Sequence, residues 1–201
     1  AFAKDNEDKY FVDDAGSESL ETMREMIRAC KSNKTIVKLL EKTDYQKTFI
    51  WKEESGLLCK TRPDLAMNKQ AVIVNIKTTQ DSSPEKFRRD LANNDYPLQA
   101  AMEIRGAEQS GYIDKVAKYY WLLVEKTAPY NAVLYELENE DMKWFSDALD
   151  FYLKRCSEVL RRIIDEKVSD YTEIRGYDER ADNPHGVISA DVPLYYKDTY
   201  S

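Results

Sequence analysis

Apolar and polar positions alternate in the middle of this chain and fall at helical spacing on either side of it. Near the start, Met23, Met26 and Ile27 line one side of a predicted helix from about Leu20 to Cys30, with Ser17 or Ser19 placed to cap it. A second short helix is expected near Thr35 to Glu41. Strand-like runs follow at Lys47–Lys52, Leu57–Arg62 and Ala71–Thr78, and the Glu53-Glu54-Ser55-Gly56 segment reads as a hairpin turn between the first two. Ser83-Pro84-Glu85 carries a helix start: a capping hydroxyl, a proline in the first turn and an early acid. A helix over Leu98–Ala107 then precedes two more strands, Lys118–Val124 and Ala132–Leu137, with Tyr119, Tyr120 and Trp121 assigned to the core. From Met142 through Phe145, Leu149, Tyr152 and Leu160 to Ile164, apolar residues recur at helical spacing, predicting one long helix that covers a sheet face. Helices, three strands, helices, two strands and a helix make an α/β class with a mixed central sheet flanked by helices.

Composition narrows the classes of function. With 201 residues, 42% of them hydrophobic, the chain suits one domain over 17–167, between a loose acidic segment (1–16) and a tyrosine-rich tail (168–201). The tail carries Tyr171, Tyr177, Tyr195, Tyr196 and Tyr200, and aromatics in a polar, extended segment suit docking on a neighbouring surface. No apolar run approaches the ~18 residues of a membrane helix, the first residues lack a signal-peptide core, and no membrane partner is expected. Cys30, Cys59 and Cys156 have neither zinc spacing nor a disulfide framework, so a cytoplasmic location is expected. The single histidine, His185, lies beside Pro184 and Gly186 in an expected loop, which makes a Ser-His-Asp triad improbable. Six glycines with no glycine-rich strand-to-helix loop argue against a P-loop or dinucleotide fold. A net charge of −7 argues against broad nonspecific coating of nucleic acid, though a local basic strip would suffice for DNA.

Chemistry gathers around Arg62-Pro63-Asp64 and Asn75-Ile76-Lys77-Thr78-Thr79. Asn75 and Lys77 share a face of their strand, while Val74 and Ile76 turn to the other. If Leu57–Arg62 and Ala71–Thr78 pair as a hairpin, Asp64 approaches the face of Asn75 and Lys77. A carboxylate, a second oxygen ligand and a lysine converging at a sheet edge suit phosphodiester hydrolysis. A hard cation such as Mg²⁺ takes oxygen ligands and keeps several waters, one of which the lysine can orient. Residue 75 is an amide where that chemistry wants an acid.

The run Gly56–Asp64, then Val72–Thr79, then Tyr96-Pro97-Leu98-Gln99-Ala100-Ala101-Met102-Glu103, resembles the RecE (exonuclease VIII) type of phage and prophage exonuclease, within the PD-(D/E)xK nuclease superfamily. The resemblance covers roughly Ile36 to Ile164. It implies a restriction-endonuclease-like core and a Mg²⁺- (or Mn²⁺-) dependent exonuclease that digests double-stranded DNA from 5′ ends. It also implies a ring-shaped homo-oligomer and a single-strand annealing partner of the RecT type. By the same resemblance Asp64, Asn75 and the Ile76 carbonyl hold metal, Lys77 is the catalytic lysine, and Gln99 supports the site. Three departures stand out. Asn75 replaces an acid, Glu103 stands where relatives often carry tyrosine, and nothing upstream supplies the family's further histidine or acid. The chain begins at Ala1 and not at methionine, which points to a fragment lacking that upstream helix. Cleavage is therefore expected to be impaired, the alternative being a nuclease-fold module that binds DNA or protein without cutting. Lys86, Arg88 and Arg89 are the candidate DNA contacts. Glu103 is expected to be a surface acid, and Glu53 and Glu54 solvated turn residues.

Overall fold

In the computed structural model residues 19–165 are described. Two compact units divide the chain, Ala1–Leu153 and Lys154–Ser201. The expected loose segment 1–16, the capping alternative Ser17, the tail 168–201 and His185 lie outside the described residues.

Among the described residues of the first unit, two helices come first, α1 (Leu20–Ser32) and α2 (Lys34–Glu41). Ser19 caps α1 through a 3.2 Å bond from the Thr22 N–H to its Oγ. Asn33 ends α1 and caps α2, its Oδ1 accepting from the Thr35 and Ile36 N–H groups at 2.9 and 3.3 Å. Strands β1 (Asp44–Tyr45), β2 (Phe49–Lys52), β3 (Leu58–Thr61), β4 (Leu65–Met67) and β5 (Val72–Thr79) follow. Next come α3 (Pro84–Asn93), α4 (Tyr96–Gln109), β6 (Lys118–Glu125), β7 (Ala132–Glu136) and α5 (Asn139–Asp165). The main sheet has the order β1-β4-β5-β6-β7, with β5 and β6 parallel and the other neighbours antiparallel. It is the mixed, helix-flanked sheet expected from the pattern.

The pairing around Asp64 differs from the expectation. β3 does not pair with β5; it closes a separate two-stranded hairpin with β2, Phe49 opposite Thr61 and Lys52 opposite Leu58. The cause is Pro63, which has no N–H to give to a ladder and restricts the residue before it. The chain leaves the hairpin there and enters the main sheet at β4, which pairs antiparallel with β5 so that Leu65 faces Val74 and Met67 faces Val72. The 68–71 connection closes with the Ala71 N–H bonded to the Asn68 carbonyl at 3.0 Å, Ala71 itself holding φ +56°.

Alternate residues of β5 feed two cores. Val72, Val74 and Ile76 join Leu65, Met67, Leu122 and Val124 under Ile36 of α2, with Met26 and Leu40 packed alongside. Ile73 points the other way, into Phe49, Phe87, Ala100, Ala107, Tyr119 and Trp121. Tyr119 and Trp121 are buried as expected, while Tyr120 is half-buried. The α3–α4 pair thus covers the face to which Asn75 and Lys77 belong. Gly106 lets α4 meet the β2–β3 hairpin closely: a Cβ there would lie 2.5 Å from Thr61 Cγ2 and 2.9 Å from the Trp51 ring. Glu53 is not a solvated turn residue. It accepts from Trp51 Nε1 at 2.6 Å and lies 3.8 Å from the Arg105 guanidinium, whereas Glu54 is exposed as expected.

The long helix is present, and its opening turns pack as predicted: Met142 lies against the Tyr119–Trp121 core and Leu149 is buried. Arg105 of α4 ties it further, to Ser146 at 3.3 Å and Asp150 at 2.5 Å. Tyr152, one of the predicted buried positions, is exposed along with Phe151. In the second unit the described residues, Lys154–Asp165, continue α5, with a 3.6 Å ion pair between Arg155 and Glu158. Among the described residues no helix is long and apolar enough to cross a membrane.

Candidate active site

Asp64 stands one residue before β4, where the antiparallel pairing brings it beside β5. Its Oδ2 accepts from the Ile76 N–H at 2.8 Å and its Oδ1 from Gln46 Nε2 at 2.5 Å, while its backbone carbonyl accepts from the Gln46 N–H at 2.9 Å. The carboxylate is therefore aimed by backbone and side chain together. Gln46, with φ +51°, was not visible in the sequence as a site residue, and no local signal marks it.

On β5, Asn75 is buried and Lys77 half-buried, on the face that α4 covers. Gln99 and Glu103 lie one turn apart on α4 and so share its inward face. Gln99 Oε1 accepts from Lys77 Nζ at 2.9 Å, and Gln99 Nε2 donates to Glu103 Oε1 at 2.9 Å. Asn75 Nδ2 donates to the same Glu103 oxygen at 2.9 Å, and the Tyr119 hydroxyl donates to Glu103 Oε2 at 2.7 Å. Asp64, Asn75, Lys77 and Gln99 are all brought together, as the sequence predicted, by a strand pairing that it did not.

Glu103 is the main correction. Expected at the surface, it is 1% exposed and sits at the centre of this network. A trace of this was legible: Ala100, Glu103 and Ala107 recur at helical spacing, so the acid lies on the small-residue face that packs closest to the sheet. Burial pushes the Glu103 carboxyl up, opposed by the bonds from Tyr119, Gln99 and Asn75 and by the Lys77 charge. Burial likewise lowers Lys77 from the ordinary lysine value, against the attraction of Glu103 and Asp64. The Lys77 ammonium also lies 4.4 Å from the centre of the Tyr96 ring, a further contact for the cation. Tyr119 is driven well above the usual phenol range, first by burial and then by the Glu103 charge.

For a divalent cation the available donors are the Asp64 carboxylate, the Asn75 amide oxygen and the Ile76 carbonyl. All are hard oxygen donors, a set that fits Mg²⁺ or Mn²⁺ and disfavours soft metals. Because Asn75 Nδ2 is committed to Glu103, its Oδ1 is the end turned away from that carboxylate. Among the described residues no three of His, Cys, Asp and Glu cluster to hold a metal.

Lys86, Arg88 and Arg89 lie on α3, capped by Ser83, which accepts from the Lys86 N–H at 3.4 Å. Lys86 pairs with Asp90, and Arg89 with Glu85 at 3.3 Å, so two of the three cations are answered on their own helix; Arg88 is exposed. They do not join the Asp64–Lys77 network.

Comparison with known proteins places these features. A family described as a PDDEXK-like domain of unknown function (DUF3799) matches residues 1–173. A solved structure described as a "putative exonuclease" from Eubacterium rectale superposes with a TM-score of 0.58, over 99% of this chain and 72% of its own, at 13% identity. A second solved structure covers 66% of this chain and 58% of its own at 12% identity, with a TM-score of 0.35. No curated protein sequence matches the chain.

Proposed function

The chain belongs to the PDDEXK-like DUF3799 family, and on that premise we propose that it is an exonuclease of the RecE type, cutting double-stranded DNA from its 5′ ends with Mg²⁺ or Mn²⁺. Members of the wider PD-(D/E)xK superfamily generally use divalent metals. The observation that carries the proposal is the convergence of Asp64, bonded to the Ile76 N–H at 2.8 Å, with Asn75 and a lysine held by Gln99 at 2.9 Å. Asp64, Asn75 and the Ile76 carbonyl would hold the ion, which when bound stabilises the leaving oxygen and activates water. Lys77 orients the attacking water or the scissile phosphate, and Gln99 holds Lys77 in place. Lys86, Arg88 and Arg89 supply phosphate contacts, although the pairing of two of them with their own helix makes Arg88 the most available. A closed homo-oligomer around the DNA and an annealing partner of the RecT type complete the reading.

Asn75 removes one charge from the metal ligands and so favours a second reading, a domain that binds duplex ends without cutting them. Linear duplex labelled at its 5′ ends, incubated with the full chain in Mg²⁺ or Mn²⁺, separates the two. Release of labelled nucleotides that stops on adding EDTA supports the exonuclease. Retention of intact ends by the protein, with no digestion, supports the binding module. Neither digestion nor binding would overturn both.

A further inference from the structure

We propose that Glu103 is the second carboxylate of this site: the negative charge missing at Asn75 resides on the facing turn of α4, from where it sets the orientation of both Asn75 and Gln99. This rests on the metal-dependent reading above and adds to it a residue whose role neither the motif nor the comparisons assign.

An ionised carboxylate only accepts hydrogen bonds, so an amide beside it must present its NH₂ end and turn its oxygen away. Glu103 Oε1 receives two such groups at once, Asn75 Nδ2 and Gln99 Nε2, each at 2.9 Å. One carboxylate oxygen thereby fixes two amides. Asn75 is left with Oδ1 as its ligating end, and Gln99 with Oε1, which accepts from Lys77 Nζ at 2.9 Å. Tyr119, donating to Oε2 at 2.7 Å, holds the carboxylate itself. Every bond in the network has the polarity that a charge on Glu103 demands. Replacing the acid by an amide removes that charge, leaving a neutral oxygen for the two NH₂ groups and an NH₂ facing the Tyr119 hydroxyl.

The same geometry explains why residue 75 is an amide in this chain. An aspartate there would set a second anion at hydrogen-bond distance from Glu103, and like charges so close repel strongly. Asn75 and Glu103 are thus complementary, one neutral donor and one charge, and the charge stands on the helix instead of the strand. A buried acid serving only the fold would be an expensive choice, since an apolar side chain of similar size commonly does as well or better. Here the acid is 1% exposed and lies within one bond of the residues proposed to hold the ion and the lysine.

The test is a cycle of four proteins: the chain as it stands, Asn75→Asp, Glu103→Gln, and the two changes together. Each is titrated with Mn²⁺ by calorimetry and melted in EDTA. Glu103→Gln should weaken Mn²⁺ binding by about 10–100-fold, the usual effect of losing a group that orients a ligand, and adding Asn75→Asp should restore it. In EDTA, Asn75→Asp alone should melt lower, and adding Glu103→Gln should raise the melting temperature again. The proposal is overturned if Glu103→Gln lowers only the melting temperature and leaves Mn²⁺ affinity unchanged. It is overturned equally if the double variant melts below Asn75→Asp, a comparison that stands even if Glu103→Gln alone does not fold. Failure of all four proteins to bind Mn²⁺ would instead sink the metal-dependent reading, and this proposal with it.

Discussion

Replacing Gly106 by alanine should destabilise the protein although it removes a glycine from a helix. In an exposed helix that change gains about 1 kcal/mol. At Gly106 the new Cβ would sit 2.5 Å from Thr61 Cγ2, 2.9 Å from Trp51 Cζ3 and 3.3 Å from Phe49 Cβ. Ordinary contact begins near 3.4 Å, so the hairpin and the helix must part by roughly 1 Å. The pieces that must yield are poor at yielding: Thr61 is β-branched and stiff, and Trp51 and Phe49 are buried. Overpacking of this kind costs about 1–3 kcal/mol, sometimes more. Two contacts under 3.0 Å put Gly106 in the upper part of that range, about 2–3 kcal/mol, so net of the helix gain about 1–2 kcal/mol should be lost. For a chain of this size that is a fall in melting temperature of about 2–8 °C. The hairpin leads through Arg62 and Pro63 directly into Asp64, while α4 carries Gln99 and Glu103, so the displacement also spreads the site and should weaken Mn²⁺ binding. Thermal denaturation followed by circular dichroism, with calorimetry for Mn²⁺, reads both effects. An unchanged or higher melting temperature would refute the close approach of α4 to the hairpin.

Three further outcomes are expected. Lys77→Ala should reduce cleavage by ~10²–10⁴-fold, the contribution of a positioned proton-handling group. Its melting temperature should hardly move, since losing the Gln99 bond is offset by relief of a half-buried charge; single-turnover digestion and a melt check this, and intact cleavage would refute it. Glu125 accepts from the Ser82 N–H and Oγ and from the Asn131 N–H at 2.8–3.0 Å. Burial works against its charge, but those bonds outweigh it and hold the carboxyl below the ordinary value of 4.5. Its stabilisation is therefore present above pH 4.5 and lost as pH falls through the lower folded value. Glu125→Gln should cost about 1–3 kcal/mol near neutrality, with the gap to the parent closing in acid; a gap independent of pH would contradict this. Light scattering should give a mass well above the 23.4 kDa of one chain, falling when the residues after Val168 are removed; a monomer at micromolar concentration, with or without them, would rule out the ring.

The elements with strong local signals were readable without coordinates. Ser19 and Ser83 announce their helices by hydrogen bonds within three residues, and the β2–β3 hairpin follows from alternation around Gly56. What escaped was decided by distant partners. β1 and β4 have two and three residues, too few to show a period of two, and their assignment depends on β5. Without β4 the partner of β5 is misplaced, although Asp64 reaches the same neighbours by either route. Glu53 and Glu103 read as surface acids because side-chain type predicts exposure on average. Both are enclosed by groups from other elements, Arg105 and Trp51 in one case, Asn75 and Tyr119 in the other.

The antiparallel pairing of β4 with β5 also acts as a reading frame. A slip of one residue in a strand pair exchanges its two faces. In β5 that exchange would carry Val74 and Ile76 to the α4 side and drive Asn75 and Lys77 in among Leu65, Met67 and Leu122. On the β4 side the frame is guarded by the turn from Asn68 to Ala71, with its one positive φ, and by the bond from the Ile76 N–H to Asp64, while β6 holds the other edge of β5 from Val72 to Thr79. Adding or removing a single residue in that exposed turn would thus do more harm than many core substitutions. It would force the chain to choose between its hydrophobic layers and its site, because no other register of these two strands serves both.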